Sequence, residues 1–348
     1  DLYRPVYSLR RWRSMGGVGE RSTGHDGIPG FVFRGRHFDF AFSPFFLIMV
    51  GRRGDGSSDM LKLDEIHCGD CIELLTQAKA EGLKVDLVFA DPPFNIGYEY
   101  DTYRDNKDYD DYVAWTDRWI AACRGVLADH GSFYIAIGDE FAAEIRIAAR
   151  KADLHLRNWI IWHYTFGQST KQKFARAHTH IFYFVADPKN FIFNDLSVRV
   201  PSARQLIYAD ARANPKGKMP DDVWRYSRVC GTFKERVGWH NCQMPLKLLG
   251  RIVKASSDPG NLVLDPFSGS GTTATAAAIL GRRYLGLELS ENYARMARAR
   301  IAETLALGHT DINDFEEGDI FEKTIPQPTR QRNHRTKTAE QMALDLEE

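Results

Sequence analysis

"NLVLDPFSGSGTTATAAAILGRRYLGLELS" (Asn261–Ser290) decides the fold. A short apolar run meets a glycine-rich bend, a stretch of small helix formers follows, and a second apolar run ends in an acid. Strand, bend, helix and strand in that order are the layout by which a doubly wound α/β sheet binds a dinucleotide or nucleoside. Gly269 and Gly271 let the backbone approach a ligand closely, and Glu288 is placed to accept both hydroxyls of a ribose. The loose G-x-G-x-x-A pattern in "GSGTTA" also fits NAD, but it is a weak signal. Asp265 ends the first strand where a pyrophosphate would lie, and two anions there repel. A carboxylate suits a ligand with an ammonium group at that point, such as the methionine part of S-adenosylmethionine. Thr272 stands where a Walker loop carries Lys. A bend that merely packs helix on strand explains the glycines but neither acid, so the methyl donor is favoured over NAD, and either over a packing bend.

Outward from this unit the same rhythm holds. "VDLVFA" (Val85–Ala90) reads as a buried strand, and "YDDYVAWTDRWIAACRGVLADHG" as a helix ending at Gly131. "SFYIAIG" is the next strand, "FAAEIRIAARKA" a helix, and "NWIIWHY" and "THIFYFVA" two further strands. The alternation predicts a doubly wound, mostly parallel sheet with helices on both faces. Residues 1–59 are rich in Gly and Arg, hold no Lys and show no period, so they are read as a disordered or upstream extension, with the functional protein beginning near Met60. Asp187–Trp239, with its prolines, glycines and basic residues, breaks the rhythm and reads as an inserted lobe. The polar tail 321–348 is expected to be flexible.

Composition excludes several classes. The apolar run Phe45–Val50 is too short to span a bilayer, and the start of the chain has no apolar core after its arginines, so a cytoplasmic protein is expected. Five scattered cysteines fit a reducing compartment; Cys68 and Cys71 beside His67 have the spacing of half a zinc site, but no second pair exists and no metal is expected. The 46 basic and 46 acidic residues balance, so a nucleic-acid partner cannot be argued from the total. Locally, Leu196–Trp239 carries nine Arg or Lys against four acids, and His163–His180 has no acid at all. Such stretches are solvated faces or phosphate-tracking surfaces.

"DPPF" (Asp91–Phe94) follows the strand "VDLVFA" and raises a separate question. Two prolines fix φ and donate no hydrogen bond, so the segment is a stiff loop that presents Asp91 and Phe94 in set directions. At a strand end of a doubly wound sheet it would face the ligand crevice. An acid, the Pro92 carbonyl and an aromatic face suit a planar base with an exocyclic amine: the oxygens accept from the NH₂ and Phe94 stacks on the ring. Acceptors on the amine keep its lone pair available for attack on a sulfonium methyl.

This arrangement resembles the DNA amino-methyltransferases, which methylate adenine N6 or cytosine N4. Asp91, Pro92, Pro93 and Phe94 match their catalytic tetrapeptide. "DPFSGSGTT" (Asp265, Pro266, Phe267, Ser268, Gly269, Ser270, Gly271, Thr272 and Thr273) matches their donor loop. "HNCQMPLKLL" is similar to the H-x-x-Q-K-P segment, through His240, Gln243 and Pro245, with Met244 in place of the usual Lys. "GDCIELL" is similar to the segment, here Asp70 and Cys71, whose acid approaches the donor adenine; Glu288 and Leu289 follow the second donor strand. The resemblance spans roughly residues 60–305, and the catalytic tetrapeptide precedes the donor loop, which is the order of the permuted β class.

The resemblance implies a seven-stranded, Rossmann-like methyltransferase sheet in which 60–186 is the catalytic half, 187–239 the target-recognition insert and 240–320 the S-adenosylmethionine-binding half. It also implies double-stranded DNA as partner, base flipping, S-adenosylhomocysteine as product and no metal. Asp in the first tetrapeptide position goes mainly with adenine, so adenine N6 is expected, with cytosine N4 as the alternative. Candidate DNA contacts are Lys171, Lys173 and Arg176 in the acid-free stretch, and Arg199, Arg204, Arg225, Arg228 and Arg236 in the insert. A cognate restriction endonuclease and a homodimer fit the family. "QMALDL" (Gln341–Leu346) is similar to peptides that dock on a replication sliding clamp, although a frayed amphipathic end explains it too. An RNA or protein amino-methyltransferase and an NAD oxidoreductase are the rival functions.

Overall fold

The computed structural model describes residues 61–308 and 312, apart from 165, 166, 168, 169, 209 and 232. The extension 1–59, the tail 321–348 and the Gln341–Leu346 motif lie outside the described residues. In chain order the elements are β1 (Glu65–Cys68), α1 (Cys71–Ala80), β2 (Val85–Ala90), α2 (Tyr109–Val126), β3 (Leu127–Ile137), α3 (Ala142–Lys151), β4 (His155–His163), β5 (His178–Val185), a short α4 (Ala203–Leu206), β6 (Val223–Arg225), α5 (Leu246–Ser256), β7 (Leu262–Asp265), α6 (Thr272–Ile279), β8 (Arg283–Glu288) and α7 (Glu291–Ala306).

Among the described residues one sheet of eight strands runs in the order β1-β8-β7-β2-β3-β5-β4-β6. Neighbours are parallel except at β5, which is antiparallel to both β3 and β4. The seven strands expected from the sequence become eight through β6, a three-residue strand of the inserted stretch that pairs with β4. Three residues are too few to show an alternation, so no periodicity revealed it. The insert is therefore stitched to the sheet edge.

Strand residues alternate between two cores, as burial on both faces requires. Phe133, Ile135, Phe182 and Phe184 face one side with Leu75, Tyr112, Trp119 and Ile145 from α1, α2 and α3. Tyr134, Ile181 and Tyr183 face the other, with Leu249 and Ile252 of α5 and Ala276 of α6. Each such large side chain, buried fully, contributes about 1.5–3 kcal/mol.

The helix expected to run to Gly131 stops at Val126, and β3 begins at Leu127. Between Val85–Leu127 and Leu87–Ser132 the register jumps, so β3 bulges outward. His130 on the bulge bonds Asp86 at 2.8 Å, and the other Asp86 oxygen accepts the Leu262 N–H at 2.7 Å. Pairing across β3, β2 and β7 overrides the helical spacing there.

The connections place the site. From β7 the chain passes through α6 to β8 on one side, and from β2 through α2 to β3 on the other. The order reverses between β7 and β2, which are direct neighbours (Val88 with Leu264), and a ligand crevice opens at the carboxyl ends of two such strands. Asp265 ends β7 and Asp91 follows β2.

Candidate active site

Asp91 and Asp265 stand at that crevice, close enough for Asp265 to raise Asp91. The Asp91 carboxyl is pushed up to about 8 by burial first and by Asp265 second, although part of the residue stays open to the cleft. Burial likewise raises Asp265 to about 7, against the lowering effect of its hydrogen bonds from Thr273 and Phe267. Asp265 accepts from the Phe267 N–H at 3.0 Å and the Thr273 hydroxyl at 2.5 Å. Thr273 thus acts by holding Asp265. Burial also raises Glu288, whose oxygens accept the Gly269 N–H at 2.8 Å and the Ser290 N–H at 3.0 Å. Three carboxyls crowd one cleft, and no Lys or Arg is hydrogen-bonded to Asp91, Asp265 or Glu288 among the described residues.

The glycine bend is shaped by close approach. Gly269 and Gly271 have φ of 48° and 74°, a region that side chains disfavour. A Cβ on Gly269 would lie 2.8 Å from His240 Nε2, and one on Gly271 3.0 Å from the Ala297 Cβ. Ser270 and Thr272 share a hydroxyl contact at 3.0 Å, and Arg300 Nη1 donates to the Ser270 carbonyl at 2.8 Å and to Thr272 Oγ1 at 2.9 Å. Burial holds the Arg300 guanidinium down to about 10, with Glu235 opposing. Phe267 lies between Trp115 and Trp119, with ring centroids 5.7 and 5.2 Å away.

The DPPF loop is locked from behind. Tyr112, fully buried on α2, donates to the Pro93 carbonyl at 2.6 Å. Asp105, also buried, gathers the loop that follows: its carboxylate accepts from the N–H groups of Asn95 (2.7 Å), Ile96 (3.1 Å) and Tyr98 (3.1 Å), and its carbonyl from Gly97 (2.7 Å). Asn95, at φ 57°, adds bonds to the carbonyl and the N–H of Lys107. The loop then reaches the start of α7, where the Ser290 hydroxyl donates to Asp101 at 2.6 Å. Phe94 is half-buried against the first core, and a Cβ on Gly138 would stand 3.3 Å from its ring.

The His240–Pro245 segment closes the cleft. His240 is held down to about 4 by burial and then by Arg300, so its ring is neutral near pH 7, and its buried Nδ1 has no hydrogen-bond partner. The Cys242 thiol is pushed up to about 11 by the surrounding protein and by Asp91, and Tyr100 lies in contact with it. Gln243 spends its amide inside the fold, accepting from Val237 N–H and donating to the Glu235 carbonyl. Met244, where the family carries Lys, is buried in the second core, and Pro245 precedes α5.

Other expected positions divide. Asp70 caps α1, accepting from Ile72 and Glu73 N–H. The Cys71 side chain lies in the core and its thiol is pushed up to about 12 by burial. Leu289 is exposed beside Glu288. Arg225, at the end of β6, is exposed at the same carboxyl edge as the DPPF loop, since β6 is parallel to β4. Arg228 lies over the Tyr164 ring at 5.3 Å, and Arg204, Lys171 and Lys173 are exposed. Arg199 is instead tied to Asp195 and the Gly217 carbonyl, Arg176 to Asp139 and Glu140, and exposed Arg236 to the Gly231 carbonyl. Among the described residues no group of three or more His, Cys, Asp or Glu could hold a metal, and no helix is long and apolar enough to cross a membrane.

Sequence reasoning missed Tyr112, Asp105 and Arg300. Arg300 left a trace, since it lies one turn from Ala297 and beside Ile301 on the buried stripe of α7. Asp105 left none.

Comparison with known proteins agrees with this geometry. Residues 85–299 match a family model described as "DNA methylase". The Type II methyltransferase M.HpaI of Haemophilus parainfluenzae is 32% identical over 260 residues, 74% of this chain and 78% of that protein. The DNA adenine methyltransferase YhdJ of Escherichia coli K12 is 36% identical over 244 residues, 68% of this chain and 81% of that one. Among solved structures, the M1.HpyAVI–SAM complex superposes with a TM-score of 0.52 at 21% identity, covering 68% of this chain and 98% of that one. The cytosine-N4-specific PvuII DNA methyltransferase gives 0.52 at 16% identity, over 74% and 95%. These two share the fold. From the sequence match along most of its folded length, the chain belongs to the DNA methylase family whose members methylate the exocyclic amines adenine N6 and cytosine N4.

Proposed function

We propose that the chain transfers a methyl group from S-adenosylmethionine to the N6 amine of adenine in a specific double-stranded DNA sequence. The observation that carries this reading is the crowding of Asp91, Asp265 and Glu288 at the β7–β2 crevice, with Phe94 in the same loop as Asp91. Crowded carboxyls with no cation bonded to them suit a ligand that brings positive charge, and a sulfonium with an ammonium group does so. A pyrophosphate would add negative charge to the same place, which disfavours NAD.

When bound, S-adenosylmethionine supplies the electrophilic methyl group. Asp265 and the bend at Gly269–Gly271 would hold its amino-acid part, and Glu288 its ribose. Both Glu288 oxygens already take a backbone N–H, and each keeps lone-pair capacity for a hydroxyl. Asp91 and the Pro92 carbonyl accept from the target amine, while Phe94 stacks on the extruded base. The chain contributes placement and charge complementarity. Tyr112 and Asp105 hold the presenting loop so that little ordering remains when the base arrives. Extrusion costs roughly a few kcal/mol, recovered by stacking and by phosphate contacts from the exposed Arg225, Arg228, Arg204, Lys171 and Lys173.

Asp91 in the first tetrapeptide position and the adenine-directed relative YhdJ support adenine. Cytosine N4 is the second reading, favoured by the likeness in fold to PvuII. The Type II relatives support a cognate endonuclease acting at the same sequence in the cytoplasm. Incubation with methyl-labelled donor and duplex DNA, followed by digestion to nucleosides, should yield labelled N6-methyladenine. Labelled N4-methylcytosine would replace the adenine reading, and an unlabelled digest would remove DNA as substrate. Asp91→Ala should abolish transfer while donor binding survives; turnover like wild type in that variant would remove the role given to Asp91.

A further inference from the structure

The loop joining β4 to β5 leaves the sheet at the same edge as the DPPF loop, because β4 runs parallel to β6 and β5 pairs antiparallel with β3 (Ile137 with His180). Its base is closed by the Tyr164 N–H to the Ala177 carbonyl at 2.9 Å and by the Tyr164 hydroxyl to the His178 carbonyl at 3.0 Å. On the returning arm Arg176 is pinned to Asp139, at 2.7 Å, and to Glu140, just after β3. That anchor lies near the residue assigned to the target base, with Gly138 between them: a Cβ on Gly138 would stand 3.3 Å from the Phe94 ring and 3.9 Å from Arg176 Nη1.

Two residues before the anchor, Phe174 has a relative exposure of 101%. It projects from a turn that the Thr170 hydroxyl closes on the Lys173 carbonyl, and Lys171 and Lys173 are exposed beside it. Two residues of chain span at most about 7 Å, so the Phe174 backbone stays close to that of Arg176, whose guanidinium reaches Gly138 near the Phe94 ring. Single exposed apolar residues are common. Here, however, a bare aromatic ring, two cations, a stretch without acids and an anchor next to the proposed base-stacking residue coincide.

We propose that Phe174 is the ring that enters the DNA stack when the target nucleotide leaves it. The inference rests on the amino-methyltransfer reading of the site. Extrusion leaves an apolar gap between the neighbouring base pairs, and an aromatic or aliphatic wedge restores the stacking lost there. Lys171 and Lys173 hold the flanking phosphates, which fixes the ring opposite the gap. Phe94 cannot serve both ends of the movement, since it is half-buried against the core and receives the extruded base.

The test compares wild type, Phe174→Ala and Phe174→Trp on a duplex carrying the methylated site, in two forms: fully paired, and with the target base mispaired. Methyl transfer is read from labelled donor, and donor affinity and melting temperature are measured alongside. Phe174→Ala should lower kcat/KM on the paired duplex on the order of 10- to 100-fold. On the mispaired duplex, where extrusion costs less, it should come within about threefold of wild type. Phe174→Trp should keep most of the paired rate, and donor affinity and melting temperature should not move. Equal loss on both duplexes, or no loss on the paired one, overturns the wedge while leaving the methyltransferase reading intact. A wild-type chain that methylates neither duplex overturns the underlying reading, and the wedge with it.

Discussion

Binding of S-adenosylmethionine should release protons that the crowded carboxyls hold in the free protein. With Asp91 raised to about 8 and Asp265 to about 7, both far above the ordinary carboxylate range, the free protein at pH 7 holds a proton on Asp91 most of the time and on Asp265 part of the time. A ligand that places positive charge beside both draws them into the ionised form, since an opposite charge favours that form. Protons should therefore leave as the donor binds, offset in part by uptake at the donor's own amino group, whose pKa lies at about 8. By linkage the affinity should rise with pH below about pH 8, by up to about tenfold per unit for each proton released, and stop rising there, where the donor's amino group begins to lose its own proton. The sign is fixed: the free site holds protons that the bound site does not, so raising pH favours binding.

Titration calorimetry at pH 7 in buffers of unlike ionisation enthalpy reads the proton count directly. Asp91→Asn, which keeps the shape of the side chain and removes its titration, should lower the count. S-adenosylhomocysteine, without the sulfonium charge, should release fewer protons than the donor. Binding heats that do not depend on the buffer, with affinity flat between pH 6 and pH 8, would show that the carboxyls are already ionised and would refute the argument from crowding.

Two further perturbations act on the supports of the site. Asp105→Asn removes the charge that collects three backbone N–H groups behind the DPPF loop, and should cost about 2–3 kcal/mol of stability in chemical denaturation. Its kcat should fall more than its donor affinity, because the loop that presents Asp91 loosens while the glycine bend is untouched; the reverse pattern would argue against a positioning role. Arg300→Met leaves the Ser270 carbonyl and the Thr272 hydroxyl without their buried donor, and should cost about 3 kcal/mol and weaken donor binding. Unchanged donor affinity in a folded Arg300→Met protein would detach Arg300 from the site.

The parts of the fold legible in the sequence were those written locally. Strand, glycine bend and helix from Leu262 to Ile279 follow one another in the chain, so hydrophobic period and glycine position are enough to place Asp265 and Glu288 at strand ends. The stiffness of DPPF is likewise local, because proline fixes its own backbone. What could not be read depends on partners far away in sequence. Tyr112 looks like one more apolar residue of an amphipathic helix until its hydroxyl is found on Pro93, nineteen residues back. Gln243 and Thr273 sit in the expected segments, yet their polar groups are spent on the protein itself, on Glu235 and Val237 and on Asp265. Arg199 and Arg176 show the same limit for charge: a basic stretch reveals where cations are, while the acids that neutralise them, Asp195, Asp139 and Glu140, are placed by the fold.

That distinction bears on how the site is built. Exposed arginines exchange water for phosphate at modest cost, so the proposed DNA contacts are those the fold leaves open, Arg225 and Arg204 among them. Burying Asp91, Asp265 and Glu288 in one crevice opposes ionisation of each, and among the described residues no cation is hydrogen-bonded to them. The backbone supports that surround them, Asp105 below the loop and Arg300 below the bend, keep the carboxyls from relaxing apart. A rigid crevice that withholds its own countercharge is complementary to a cationic donor in a way that a salt-bridged one would not be.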